Sequence, residues 1–354
     1  MRNFSPSGTR NGWMTDVLFR VDGGPGIGAG HLMRCLSLAQ AAAEQGWRSH
    51  LALSRETGLP PAWADLAASS HVLGRPAGSD ADLYASGELA SRLGAAWVVA
   101  DHYGFGIPFL DHLAQAVPRV LLIDDLGERD AAVALTVNPN PGADSRCRKR
   151  YARASRTLLG ADYFLLRAAV AAAEPAPEPG RVLISFGADD DANLALAFVQ
   201  GVIAAGIPLC ADVICTAPGD GLERLRAATA AAPGDWSIHA GPLEIAPLMA
   251  RAALLVCAGG GTASEAASLG IPSVIVVRAD NQRPGAQALA EQDAAWLAGE
   301  GAAALPEALT AMRRLLENDE LRTRMGRAGR RLIDGAGAWR VTVAMRELSE
   351  GTQQ

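Results

Sequence analysis

The sequence predicts an α/β fold of two doubly wound, Rossmann-like domains around a central cleft. Three observations predict it. Short β-branched or aliphatic runs alternate with Ala- and Leu-rich helical stretches, the pattern of βα units in a parallel sheet. A Pro-rich break, EPAPEPG at residues 174–180, divides that alternation into two series, because repeated prolines block both helix and sheet. The length of 354 residues, at about 100–200 residues per domain, suggests two domains rather than one.

Residues 1–15 are polar and rich in Gly, Ser and Pro, and read as a flexible tail without the apolar stretch of a secretory signal. Met14, directly before the first strand, offers a second translation start. Strands are then expected at Val17–Val21, His50–Leu53, Trp97–Ala100, Val120–Ile123 and Leu135–Val137. The first helix is marked by Leu32, Cys35, Leu36, Leu38 and Ala39 at helical spacing after Gly30, and Gly46 ends it. A first domain over 16–170 and a linker over 171–180 follow from this reading. The second series has strands at Arg181–Phe186, Ala211–Ile214, Trp236–His239, Leu254–Cys257 and Ser273–Val277, in a domain over 181–335. Within residues 336–354, the amphipathic stretch Ala338–Leu348 is expected to pack back toward the first domain. Open sheets of this kind bind ligands outside the carboxyl ends of their strands, so the cleft is the expected binding site.

Composition narrows the function. With 49% hydrophobic and 20% charged residues the chain is not mainly disordered, and a net charge of −6 argues against nucleic acid as a partner. Lys149 is the sole lysine, so a Gly-Lys-Ser/Thr phosphate loop is absent. Five scattered cysteines without a Cys-x-x-Cys pair suit a reducing compartment, read as cytoplasm, and no structural zinc. The longest apolar stretch, Ala195–Ala211, contains Gln200 and is broken by Gly206 and Pro208, so no membrane insertion is expected. The basic run Arg146–Arg153 reads as a solvated loop.

The segment Arg20 to Arg34 passes from a buried strand ending near Asp22 through a glycine-rich turn, including Gly28 and Gly30, into a helix. Free N–H groups at such a helix start attract anions. The spacing does not fit the Gly-x-Gly-x-x-Gly dinucleotide fingerprint, and no acidic residue ends the next strand, so NAD is disfavoured. His31, in the first turn, can be a neutral general base or a histidine bonded to the backbone. Asp101-His102-Tyr103-Gly104 groups a carboxylate, an imidazole and a phenol at another strand end. Asp124 and Asp125 at the next strand end could add oxygen ligands for a metal, but turn or cap roles suit them at least as well. In the second half, Asp189–Asp191 at a helix start read as capping residues. Gly259, Gly260, Gly261, Thr262, Ser264 and Glu265 follow a strand and open a helix. Glycines there allow close approach of a diphosphate, the hydroxyls and N–H groups bind it, and Glu265 can accept from a ribose diol. Asn281 and Gln282 form a second polar cluster at the same sheet edge.

With these residues in place the chain resembles the nucleotide-sugar hydrolases of pseudaminic acid biosynthesis, the PseG family of UDP-2,4-diacetamido-2,4,6-trideoxy-β-L-altropyranose hydrolases. The matches are R-x-D-x(4)-I-G-x-G-H-x-x-R at 20–34, DHYG at 101–104, IDD at 123–125, NPN at 138–140, LLG-x-x-Y-x-LLR ending at Arg167, ISFG ending at Gly187, GGGT-x-SE at 259–265 and ADNQ at 279–282. The chain departs from the pattern at Ala188, where the family has a second glycine. The resemblance implies a GT-B fold of the MurG type and hydrolysis of a UDP-sugar without metal or other cofactor. His31 would activate water, Tyr103 would lie near the sugar and Glu265 near the ribose; Asp22, Asn140, Arg167 and Gly187 are carried over as further substrate contacts. Cleavage of the anomeric C–O bond with inversion, in a monomer, is expected. A glycosyltransferase using the same donor and a non-catalytic nucleotide-sugar-binding protein are the alternatives.

Overall fold

A computed structural model describes residues 15–24, 27, 29–187, 193–215, 220–240 and 244–351. Two parallel sheets organise these residues. The first holds β1 (Asp16–Val21), β2 (Arg48–Leu53), β3 (Ala67–Val72), β4 (Trp97–Asp101), β5 (Val120–Ile123), β6 (Leu135–Asn138) and β7 (Thr157–Leu159), in the order 3-2-1-4-5-6-7. Its connections carry α1 (Gly30–Glu44), α2 (Pro61–Leu66), α3 (Asp80–Leu93), α4 (Ile107–Ala116) and α5 (Ala143–Cys147). A short helix, α6 (Ala168–Ala171), leads out of this half.

The second sheet holds β8 (Arg181–Ser185), β9 (Leu209–Cys215), β10 (Gly234–Ala240), β11 (Leu254–Ala258), β12 (Ser273–Val277) and β13 (Trp296–Glu300), in the order 10-9-8-11-12-13. Its helices are α7 (Asn193–Ala204), α8 (Asp220–Thr229), α9 (Ala246–Arg251), α10 (Gly261–Leu269), α11 (Arg283–Glu291), α12 (Leu305–Leu316) and α13 (Asp319–Leu332). The last helix, α14 (Gly337–Glu350), returns to the first half and buries Val341, Ala344 and Met345 in the core that holds Leu32, Leu36 and Ala39 of α1. The two-domain α/β class predicted from the sequence is therefore the class observed.

Three strands go beyond the predicted set. β3 reads AASSHV and lies at the sheet edge, where only alternate residues are partly covered, so it lacks the apolar run that betrays a buried strand. β7 has only three residues. The second series does not end at Val277, because β13 pairs with β12 and carries a register shift between Ile275 and Val276.

Each sheet is covered on both faces, which explains the near-continuous apolar strands VLFRV, WVVA and LLVCA. The crossover between halves begins before the prolines. Phe164, Leu166 and Val170 already pack into the core of the second half, and residues 176 and 178 donate backbone hydrogen bonds to the carbonyls of Ala250 and Arg251.

Candidate functional site

The strand order reverses between β1 and β4 in one sheet and between β8 and β11 in the other. Loops leaving the carboxyl ends of such strand pairs splay apart and leave a crevice. Most of the residues singled out in the sequence lie at these two points; Asn140 follows β6, Asn281 and Gln282 follow β12, and Arg167 lies in the crossover segment.

In the first half, Val21 is in register with Asp101 on the neighbouring strand, and α1 starts directly above. This brings His31 and Asp101, seventy residues apart, into contact: His31 Nδ1 lies 2.7 Å from Asp101 Oδ1. Asp101 is fully buried. It also accepts from Arg34 Nε at 2.6 Å and from Arg34 Nη2, while the Cys35 thiol lies 3.5 Å from Oδ2. Burial alone would raise the Asp101 carboxyl, but the charges and hydrogen bonds of Arg34 and His31 prevail and hold it well below the usual carboxylate range. An ionised carboxylate only accepts, so the imidazole proton sits on Nδ1, and the 2.9 Å approach of Arg34 Nη2 to that nitrogen is a contact between two donors. In the neutral ring Nε2 then carries a lone pair, with no hydrogen-bond partner among the described residues. Asp101, more than the helix start, fixes the orientation that a general base needs.

Tyr103 packs edge-on against His31 with ring centroids 4.6 Å apart, and its hydroxyl donates to Asp125 Oδ2 at 3.0 Å. Burial and the Asp125 charge push the phenol up to about 12, against the pull of a side-chain hydrogen bond with Asn281. Arg34 Nη1 reaches the same Asp125 oxygen at 2.6 Å, while Asp125 Oδ1 is buried with no hydrogen-bond partner among the described residues. Asp125 therefore belongs to the site, whereas Asp124 serves its own turn, accepting from Arg129 Nε, two backbone N–H groups and the Tyr151 hydroxyl.

Several expected substrate contacts are occupied by the protein itself. Asp22 is buried, and its oxygens accept from the Ser54 N–H at 2.6 Å, the Ser54 hydroxyl at 2.7 Å and Arg20 Nη1 at 3.0 Å, so it braces the loop. Asn140 donates its amide to the Asp125 carbonyl at 2.9 Å and holds that loop in place. Gln282 accepts from the Arg278 N–H at 3.0 Å and clamps the turn Asp280–Gln282. Glu265 is bound on both oxygens by Arg167, a pair that joins the crossover segment to α10. Burial works against the Arg167 charge, but Glu265 overrides it and raises its pKa.

The glycines divide by what surrounds them. A Cβ on Gly259 would meet Ala286, Gln282 and Ile275 at 3.1–3.3 Å, so this turn is packed tightly around its glycine. Gly261 and Gly30, at the starts of α10 and α1, have nothing within 4 Å, and Gly260 only the end of Gln282 at 3.9 Å. These backbones have open space beside them, and Thr262 is half-buried next to them. Ser264 lies deeper, in the buried part of the first helical turn. Gly187 has a φ of +90° next to Arg278, which donates to the Phe186 carbonyl at 2.6 Å. Gly26, Gly28, Ala188 and Asp189–Asp191 lie outside the described residues.

The sequence did not reveal Arg34 as the third member of the His31–Asp101 pair, nor Arg20 and Asp82, whose buried bidentate bridge supports Asp22 from below. The signal available was the placement of Asp101 and His31 after adjacent strands.

The likeness of this geometry to known proteins is clearest in the fold. No protein-family model matches the chain. Over 108 residues the chain is 33% identical to the spore coat polysaccharide biosynthesis protein SpsG of Bacillus subtilis (strain 168), covering 30% of this chain and 32% of that protein. The chain thus spans about a third of the length of the curated relative it matches. MurG of Acinetobacter baumannii superposes with a TM-score of 0.61 at 17% identity, covering 94% of this chain and 99% of the other. The UDP-GlcNAc 2-epimerase of Neisseria meningitidis, solved with UDP-GlcNAc bound, gives 0.65 at 12% identity, covering 94% and 100%. The calicheamicin glycosyltransferase CalG4 gives 0.64 at 15% identity, covering 95% and 98%. The chain has the GT-B fold. Among the described residues no helix is long and apolar enough to cross a membrane.

Proposed function

We propose that this protein hydrolyses a UDP-linked 2,4-diacetamido-2,4,6-trideoxy sugar at its anomeric C–O bond, without metal, releasing UDP and the free sugar for pseudaminic-type acid biosynthesis. The observation that carries the reading is the His31–Asp101 pair, which leaves Nε2 of a buried imidazole unpartnered beside Tyr103 and Asn281 of the facing half. The fold likeness to a UDP-GlcNAc-bound epimerase and to MurG supports a nucleotide sugar in the cleft.

In this reading His31 Nε2 takes a proton from water, the water oxygen bonds to the anomeric carbon from the face opposite the nucleotide, and the C–O electron pair leaves with UDP. The configuration at the anomeric carbon inverts. The diphosphate charge is met by the open backbone at Gly260–Thr262 and the positive end of α10. Asp101 stabilises the imidazolium as it forms.

Incubation of purified protein with UDP- and GDP-diacetamido sugars, followed by NMR, tests this. Release of UDP and of inverted free sugar without any acceptor is expected. A specific observation, the fold of MurG and CalG4, favours transfer to an acceptor as the second reading. Release that depends on an added acceptor would replace hydrolysis by that reading, and intact substrates with bound UDP would make the protein a binder.

A further inference from the structure

His102 stands next to Asp101 in sequence but has no place in the chemistry described above. Its Nδ1 accepts the backbone N–H of Gly104 at 2.8 Å, so in the neutral ring the proton must sit on Nε2. The surrounding structure enforces this turn. A Cβ on Gly104 would stand 2.9 Å from that Nδ1, and Arg129 Nη1 holds the His102 carbonyl at 2.8 Å. The ring also packs on Phe105 at 5.3 Å. Nε2 finds no acceptor within hydrogen-bond distance among the described residues. Its nearest carboxylate, Asp22, lies 3.9 Å away with its oxygens already taken by Ser54 and Arg20. The ring centroid is 6.3 Å from that of His31.

We infer that His102 is a substrate-facing hydrogen-bond donor, locked by Gly104 with its proton on Nε2 and presenting it to an acceptor oxygen of the sugar, such as the carbonyl of an acylamino group, beside the reacting centre. This rests on the nucleotide-sugar reading above. Burial and the nearby Arg20 and His31 lower the affinity of His102 for a second proton, against the pull of Asp22 and Asp101, and so favour the neutral form. A fixed donor beside a fixed acceptor divides the labour: His31 receives a proton from water, and His102 aligns the ring that water attacks.

Two substitutions separate this from a purely structural role. In His102→Asn the amide oxygen takes the place of Nδ1 and keeps the Gly104 anchor, but the Nε2 donor is gone. In His102→Gln the amide nitrogen stands near Nε2 and keeps the donor while the anchor is lost. The expected result is that His102→Asn folds normally, binds UDP with unchanged Ki and loses about tenfold or more in kcat/KM for the sugar nucleotide, while His102→Gln retains more activity than His102→Asn. Nitrogen-15 NMR of labelled histidine should show His102 with a protonated Nε2 and a bare Nδ1. Near-native kcat/KM in His102→Asn, a reversed ranking of the two variants, or a proton on Nδ1 would overturn the inference. If the wild-type protein leaves every sugar nucleotide intact, the reading of the function fails instead, and the inference with it.

Discussion

The two switch points share one topology and are equipped in opposite ways. After β1 and β4 the site is made of charged and aromatic side chains already bonded to one another: His31 to Asp101, Asp101 to Arg34, Arg34 to Asp125, Asp125 to Tyr103. After β11 it is made of glycines at a helix start, with side chains that are small or, like Glu265, held elsewhere. The first arrangement suits proton transfer, where groups must be fixed before the substrate arrives. The second suits recognition of a diphosphate, where backbone N–H groups and a helix dipole do the binding and a Cβ would stand in the way. Substitutions in the first region should therefore disturb stability or turnover, and substitutions in the second should disturb binding.

The largest effect is expected at Arg20, which is fully buried and bridges Asp22, Asp82 and Ser54. Arg20→Met leaves two buried carboxylates without their cation and should cost about 3–5 kcal/mol, read as a fall in the urea midpoint. The pair Arg167 with Glu265, which ties the crossover segment to α10 of the second half, is more open on the arginine side, and Arg167→Met should cost about 1–3 kcal/mol. Equal losses would mean that the first region is no more rigidly wired than the second.

Next comes His31→Asn, which should lower turnover about 100-fold or more as a general base is lost. UDP affinity, measured by calorimetry, should stay near wild type because the nucleotide is assigned to the other half. A parallel loss of UDP affinity would break the division of labour.

The sequence made the glycines and His31 visible but not the wiring between them. Motif spacing shows what leaves a strand end, and both loops could be located from it. Register decides what meets across strands: that Asp101 rather than Asp22 touches His31 follows from α1 crossing over toward β4, and no residue pattern announces it. Asp22 and Asn140 were expected at the ligand from the family resemblance, and Gln282 from its polar cluster at the sheet edge; each also makes hydrogen bonds that hold its own loop, which no motif announces. The edge strand β3 escaped for a related reason, since a strand covered on one side only can be made of Ala and Ser.

The third effect is one of pH. Asp101 is held below its unfolded value, so the stability it contributes is complete above about pH 4 and is lost as the pH falls toward its folded value. One proton taken up on unfolding's side of that balance gives a slope of about 1.4 kcal/mol per pH unit in that acidic window. Asp101→Asn should be less stable at neutral pH, because Arg34 loses one of its two carboxylate partners and His31 loses its own, and should show a shallower acid slope in urea titrations. An unchanged slope would remove Asp101 from the set of groups that set acid stability.

The smallest effect on stability separates two adjacent-looking glycines. Gly259→Ala forces a methyl to within 3.1–3.3 Å of Ala286, Gln282 and Ile275, and should destabilise by about 1–3 kcal/mol whether or not nucleotide is present. Gly261→Ala meets nothing within 4 Å and adds a better helix former at the first position of α10, so its stability should be unchanged or higher by up to about 1 kcal/mol. Its UDP affinity should nevertheless fall, because the methyl enters the space through which a diphosphate reaches the helix start. Thermal melts with and without UDP distinguish the two: Gly259→Ala melts lower but keeps its UDP-induced shift, and Gly261→Ala melts normally with a diminished shift. A full UDP shift in Gly261→Ala would mean that the open face of this turn is not where the diphosphate lies, and the second region would lose its assigned role.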